Sequence, residues 1–445
     1  MKILFKDSVN NRAHDVWEAI KLHHLQTDKN QKAKLQKMFA SPYLFFRGTN
    51  HLFWYDFAGD WRLSKFGNER TITWLIGDAH IHNIGVFSNQ KNEVVLGIND
   101  FDDAIPEDYQ YDLWRFATSI VLAMQESNLD IRKAKSVVKR LAAGYLETIM
   151  RYEEQEPVSV FNEQRLKGAL KKFIHRTKDT QGTAKMLSKY TVLTEKGRMF
   201  CESHTDFEHL SQEEENEFRQ AFLSYVPYCS EGASSNILRL KDVVKRLNAG
   251  TGSLGLKRYF ALIEVEEEQD VILDIKEIRA PTAFPHLSAL RQLEYRQNFS
   301  HEGERFVTAA YSFVRCYDKY LGFIKISNDY FAVRSRCPFK KSFDTSKIKS
   351  IEKWEKTAAQ WGKILANAHR NAAAHYNHAK TPFLFEQEIS TLVVGREDDF
   401  AKLVSQTALS YADQVMRDWE CFVKEFEFHY QKMFASNQSA EIENG

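Results

Sequence analysis

Apolar residues recur at helical spacing through residues 11–39, with Val16, Trp17 and Ile20 and then Leu35 and Met38 on one face, so the chain is expected to open with helices. An aromatic-dense run over 41–57, SPYLFFRGTNHLFWYDF, follows and marks buried surface. Two short apolar runs, 84–87 and 94–98, then flank a polar turn at 88–92, the pattern of a β-hairpin set between two loops. From Tyr111 the stretch YDLWRFATSIVLAMQES returns to helical period, with Asp112 at or near the helix start. Residues 131–225 read as mostly helical, with Ser211 and Glu214 spaced as a capping box, while 167–194 lacks strong periodicity and reads as loops between helices. At about residue 235 strand-like alternation takes over, broken by a glycine cluster and an acidic turn, and a further hairpin fits 322–336. From 350 the helical period returns, placing Trp354, Ala358, Trp361, Leu365 and Ala368 on one face. One or two more helices fit 398–434, and the polar stretch 435–445 reads as a disordered tail. The expected fold class is α+β: a helical part over 1–230, a small antiparallel sheet over 231–345 and a second helical part over 346–434.

Composition adds mainly exclusions. With 445 residues, 27% of them charged, and a net charge of +1, the chain can bury one large or two moderate cores but has no general attraction to nucleic acid or to an anionic membrane. Neither is expected as a partner. The five cysteines are scattered without C-x-x-C spacing, which indicates neither a disulfide framework nor a zinc site. The apolar cluster at 3–5 is too short for a signal-peptide core, and no run approaches the ~18 apolar residues of a membrane span. A cytoplasmic location is expected, with export lacking a cleaved signal left open.

The candidate chemistry lies in TWLIGDAHIHNIGVFSNQKNEVVLGINDFDDA, residues 73–104. Folding of the hairpin brings Asn83 beside Asp100, with Asp78 a few residues behind, so two oxygen ligands and a possible base converge. That set suits phosphoryl transfer, in which a carboxylate and a carboxamide hold magnesium on nucleotide phosphates while a second carboxylate orients the attacking hydroxyl.

GDAHIHN followed by INDFDDA resembles the catalytic and metal loops of the protein-kinase-like superfamily, especially its aminoglycoside and choline phosphotransferase branch, whose pattern is H-G-D-x-x-x-x-N and then I-D-[FW]. Ile76 stands where that branch has its histidine. Together with FRG and YDLWR, these motifs more closely resemble a bacterial family catalogued as a domain of unknown function, over most of the chain. The superfamily resemblance implies ATP and Mg2+ as cofactors. It implies Asp78 as the base or hydroxyl-orienting group, and Asn83 and Asp100, with Asp102 as fallback, as metal ligands, Asp103 facing outward. Asp112 resembles the aspartate that braces the catalytic loop from the following helix, and reads equally as an ordinary N-cap.

GTGSLG, with Gly250, Gly252, Ser253 and Gly255, resembles the loop that covers the phosphates, and Lys276 in VILDIKE resembles the lysine that pairs them. A surface hairpin with Lys276 in solvent is the alternative. A lysine inside a strand is costly unless paired, and the resemblance supplies a helix glutamate as partner, at Glu294 or else Glu302 or Glu304. Gly250 comes 150 positions after Asp100, the reverse of the superfamily's order, so the resemblance implies a circularly permuted protein-kinase-like fold, its sheet lobe inserted between two parts of a mainly helical lobe. The expected function is an ATP- and magnesium-dependent phosphotransferase, with a nucleotide and a hydroxyl-bearing small molecule or protein as partners.

Two other readings stay open. Asp78, His80, His82, Asp100, Asp102 and Asp103 also suit a metal-dependent phosphohydrolase, and the kinase-like parts suit a non-catalytic nucleotide-binding module. Arg47 either clamps a phosphate or carboxylate or, as its neighbours Phe45 and Phe46 favour, pairs with a fixed carboxylate. The cluster Arg334, Arg336, Lys340 and Lys341 either touches an acidic substrate or is a solvated face, and His369 reads as structural.

Overall fold

A computed structural model describes residues 9–25, 31–88, 93–127, 129–154, 156–158, 160–180, 182–228, 238–247, 256–265, 269–315, 318–339, 341–376 and 383–442. Helices α1 (Val9–Leu25), α2 (Gln31–Phe39), α3 (Pro42–Gly48) and α4 (Asn50–Phe57) lead into strands β1 (Ile72–Leu75), β2 (Ile84–Ser88), β3 (Val94–Ile98) and β4 (Ile105–Asp108). Helices α5 (Gln110–Glu126), α6 (Ala134–Met150), α7 (Gly168–Thr180) and α8 (Thr183–Tyr190) follow, then the hairpin β5 (Thr191–Thr194) and β6 (Gly197–Phe200), strand β7 (Phe207–His209) and helix α9 (Gln212–Leu223). Next come β8 (Arg239–Arg246), β9 (Arg258–Val265), β10 (Gln269–Glu277), α10 (Ala289–Asn298), α11 (Glu302–Val314), β11 (Gly322–Ile326) and β12 (Asp329–Ser335), and the chain ends with α12 (Ile351–Tyr376), α13 (Leu384–Val393) and α14 (Glu397–Ile442). The fold is α+β. No helix among the described residues is long and apolar enough to cross a membrane.

Alternation in the middle of the chain builds an antiparallel six-stranded sheet in the order β11-β12-β10-β9-β8-β7. Successive side chains of a strand point to opposite faces. On β10 Leu273 and Ile275 therefore join the core closed by Phe218, Phe222 and Tyr225, while Ile272 packs on the other face with Tyr190, Phe200 and Phe207. Asp274 and Lys276 share that second face but lie beyond its apolar cover, Lys276 opposite Arg258 on β9 and Ala332 on β12. The sheet body thus begins earlier than residue 231. β7 pairs with β8, and α9 opens on the expected capping box of Ser211 and Glu214.

The helical part closes over one large core that spans both ends of the chain. Arg12 on α1 bonds Asp56 on α4 and Asp418 on α14 at 2.7 to 3.0 Å, so segments more than four hundred positions apart share one buried ion cluster. The loops expected over 167–194 are instead α7 and α8. Leu170, Ile174 and Thr177 form a narrow buried stripe on α7 that the surrounding lysines conceal in the sequence. The expected tail is also helical as far as Ile442, because no glycine or proline interrupts α14 there.

Helices α6 and α12 meet through glycines. A Cβ on Gly144 would stand 2.2 Å from the Ala359 carbonyl, and one on Gly362 would stand 2.1 Å from that of Leu141. Backbone cannot retreat from such an overlap as a flexible side chain can. Gly362→Ala should therefore lower unfolding free energy by about 1–3 kcal/mol, read by urea denaturation. A wild-type midpoint in that variant would show that the two helices are not held this closely.

Candidate active site

Strand β1 delivers the chain into a turn at Gly77, whose φ of +78° suits glycine. A Cβ there would lie 1.9 Å from the Asp103 carbonyl oxygen, so this glycine sets the closest approach of the two loops. The turn leaves the Ile76 and Gly77 amides without strand partners, and Asp112, in the first turn of α5, accepts both, at 2.6 and 3.1 Å. Asp112 is not the N-cap, which is Tyr109. From α12, His369 Nε2 lies 3.2 Å from the same carboxylate, while its Nδ1 lies 2.9 Å from the Tyr145 hydroxyl. Trp54 Nε1 and Asn50 Nδ2 donate to the Gly77 carbonyl at 3.0 and 3.1 Å.

Asp78 follows at once, half-buried, with Oδ1 accepting from Arg115 Nε at 2.9 Å and from Nη2 at 2.5 Å. Burial pushes its carboxyl up to about 6, against the opposing pull of Arg115 and Arg47. Arg115 is buried against the Phe46 and Phe53 rings and lies one helical turn beyond Asp112. Asp78, with a raised carboxyl and one oxygen already held, can receive a proton at Oδ2.

The next residues form a short turn in which the Asn83 Oδ1 accepts the His80 amide at 2.6 Å, fixing the carboxamide and leaving one lone pair of that oxygen for a ligand. Arg47 lies with Nε 3.2 Å from His80 Nε2 and Nη1 3.4 Å from His82 Nδ1. Its expected carboxylate partner is replaced by two imidazoles, which reach it because the turn projects both rings toward α3. Burial, then Arg47, holds His80 well below the usual histidine range and His82 down to about 4, so both are neutral.

Hairpin register pairs Ile84 with Ile98 and carries the Asn99 amide to the Asn83 carbonyl at 3.0 Å, which sets Asp100 beside Asn83. The acidic loop that follows is held from the sheet side. Arg305, fully buried on α11, donates to the carbonyls of Phe101, Ala104 and Arg279 at 3.1 to 3.3 Å and to Glu302 at 2.7 Å. Asp103 faces inward, contrary to expectation, because its carboxylate takes the Thr282 amide at 2.7 Å and Asn50 Nδ2 at 3.3 Å. Asp102 pairs with Lys276, 174 positions away. Burial opposes charge on both partners, yet the pairing holds Asp102 below and Lys276 above their usual ranges, with Asp100 adding to the lysine's shift.

These groups line one cleft of about 550 Å³, within the usual span of ligand pockets. Asp78, Asn83, Asp100, Asp102 and Lys276 all face it, so residues far apart in sequence share one space. The Gly250, Gly252, Ser253 and Gly255 loop lies outside the described residues, while Leu256 and Arg258, just beyond it, line the cleft. Glu294 does not reach Lys276: it accepts from Arg291 at 2.7 Å, since its position on α10 turns it toward that neighbour. Glu302 is taken by Arg305 and Tyr295, and Glu304 by Ser300. In the basic cluster Arg334 donates to the Asn99 carbonyl and Arg336 to Asp274, Lys341 lines the cleft and Lys340 lies outside the described residues. Sequence reasoning gave no role to Arg115, Arg305 and Lys34. An arginine one turn from Asp112, and another inside the apolar run of α11, were the available signals for the first two.

Residues 27–425 match the model of a family described as an uncharacterized protein conserved in bacteria (DUF2252). No curated protein and no solved structure matches the chain.

Asp112→Ala removes the acceptor of two buried amides together and should cost about 2–5 kcal/mol in chemical denaturation. Asp112→Asn, which keeps one acceptor oxygen, should lose less. Equal, small losses in both would mean that the loop does not depend on this carboxylate.

Proposed function

The chain belongs to the bacterial DUF2252 family, and we propose that its cleft is the active site of an ATP- and magnesium-dependent phosphotransferase acting on a hydroxyl, built on a circularly permuted kinase-like fold. The observation that carries the reading is the pairing of Lys276 with Asp102 across the cleft that Asp78 and Asn83 also line. A strand lysine across one cleft from Asp78, Asn83 and Asp100 is what the resemblance asks of a triphosphate site, while the helix glutamate it also asks for does not reach Lys276 at Glu294, Glu302 or Glu304. The order of parts along the sheet supports it too. The glycine-bearing connection joins β8 to β9, Lys276 lies on the next strand, and helices α10 and α11 come next.

The donor set fits a divalent cation. The Asp102 carboxylate, with Asp100 close by, already draws the Lys276 ammonium as countercharge. Asp100, Asp102 and the Asn83 carboxamide are hard oxygen donors suited to magnesium, which when bound supplies positive charge to the nucleotide phosphates. With a nucleotide bound, Lys276 would be placed to neutralise its phosphates. Asp78 takes the proton of the acceptor hydroxyl, and Arg115 fixes the carboxylate's orientation while its own charge keeps the ionised form within reach of neutral pH. Against the phosphohydrolase, His80 and His82 are both turned to a guanidinium, an environment that repels a metal cation.

Asp78→Asn should lower ATP turnover about 10²–10⁴-fold with ATP affinity nearly unchanged, and Asp100→Ala should abolish it without loss of fold. Lys276→Met should lower it about 10²–10³-fold. Because Asp78 must be ionised to accept a proton and its carboxyl lies at about 6, wild-type turnover should fall as pH drops through 6 and level off above it. Turnover with manganese or zinc on a phosphoester, with none on Mg–ATP, would overturn the reading.

A further inference from the structure

Resting on the phosphotransfer reading, we propose that the acceptor is a small hydroxylated anion whose phosphate or carboxylate group is bound by Arg47 and Lys34 beside Asp78. Apart from the exposed Lys341, the two walls of the cleft differ in how their positive charge is matched. On the sheet wall Lys276 pairs with Asp102, Arg258 and Arg336 share Asp274, and Arg334 donates to the Asn99 carbonyl at 2.9 Å. On the helical wall no carboxylate among the described residues pairs with Arg47, and Lys34 makes no hydrogen bond or ion pair with a described residue, although both line the cleft. Asp103 and Asp78 attract Lys34 through space, and Arg47 acts on Asp78 in the same way, but neither carboxylate pairs directly with Lys34 or Arg47, and Oδ1 of Asp78 is already held by Arg115.

Hydrogen bonding makes the same point independently. An uncharged imidazole accepts at one nitrogen only. His80 faces the His82 amide with Nδ1 at 3.2 Å and Arg47 Nε with Nε2 at 3.2 Å, so one of two fixed donors lacks an acceptor in the free protein. The Nη2 of Arg47 makes no bond to a described residue either. Lys34 is held where burial pushes its ammonium down to about 8, still mainly charged at neutral pH. A cation kept at that cost in the same cleft as an arginine with an unmet donor is matched by an anion and not by a neutral or cationic alcohol.

Inorganic phosphate is the probe, titrated calorimetrically into the full chain alone and again with saturating magnesium and a non-hydrolysable ATP analogue. Phosphate should bind in both cases. Its affinity should fall about tenfold or more in Arg47→Gln and separately in Lys34→Gln, as for loss of a charge-assisted hydrogen bond, and persist in Asp78→Asn. Melting curves establish that each variant is folded, and the two substitutions lie on different helices, so a failure of one leaves the other to decide. No phosphate binding to the wild type, binding that survives both substitutions, or competitive displacement by the analogue would overturn the proposal. Should the analogue fail to bind while phosphate still binds through Arg47, the phosphotransfer reading is what fails and the anion site stands.

Discussion

Two backbone amides that no strand can use, those of Ile76 and Gly77, decide how the helical half of this protein is put together. A buried donor without an acceptor costs about 1–3 kcal/mol, so the turn between β1 and Asp78 is tenable only where a carboxylate meets it from below. Asp112 does so, and it can because α5 starts two residues earlier and points its first turn at the loop. The same turn places Arg115 against Asp78 and the left-handed Gly77 against the Asp103 carbonyl. The acidic loop, Asp78 and the start of α5 are therefore fixed relative to one another by a single junction.

Charge pairing across the cleft does a different job. A buried ion pair seldom adds stability over an apolar pair of the same size, because desolvation consumes most of the Coulombic gain. Arg305 with its three carbonyls and Glu302, and Lys276 with Asp102, are therefore poor choices for stability alone. They do fix where the acidic loop stands relative to the sheet, which is what a site made from both halves requires. Arg12 plays the same part at the chain's ends, where Asp56 and Asp418 close α1 and α14 into one core with the central helices.

Much of this was legible in the sequence, and the reasons differ by element. The hairpin and its two loops are short-range: alternation and a polar turn determine that Asn83 and Asp100 come together. The sheet around Lys276 was legible because its apolar residues alternate over three successive strands. What could not be read was long-range pairing between charges. Asp103, expected outward from the sequence, is turned inward by Thr282, 179 positions on, a contact no local pattern announces. Arg47 was assigned a carboxylate by its apolar neighbours, which report burial but not which group waits at the guanidinium. Helix α7 escaped because a lysine-rich surface hides a one-residue-wide buried stripe, and the short α8 because it buries only Tyr190.

Ile76 illustrates how a missing side chain can be made good from elsewhere in the fold. The resembled loop carries a histidine at that place, and here the position is apolar and buried. An imidazole is nevertheless present. His369, fully buried on α12, brings Nε2 to the Asp112 oxygen that takes the Ile76 amide and anchors its other nitrogen on the Tyr145 hydroxyl of α6. That arrangement needs α12 pressed hard against α6 and β1, which the Gly144 and Gly362 contacts and the bond from the Thr73 hydroxyl to the His369 carbonyl, 3.0 Å, provide. A chain whose long helix comes nearly three hundred residues after the loop cannot rely on connectivity to hold the two in register. Close helix packing and a histidine shared through one carboxylate do that work through space.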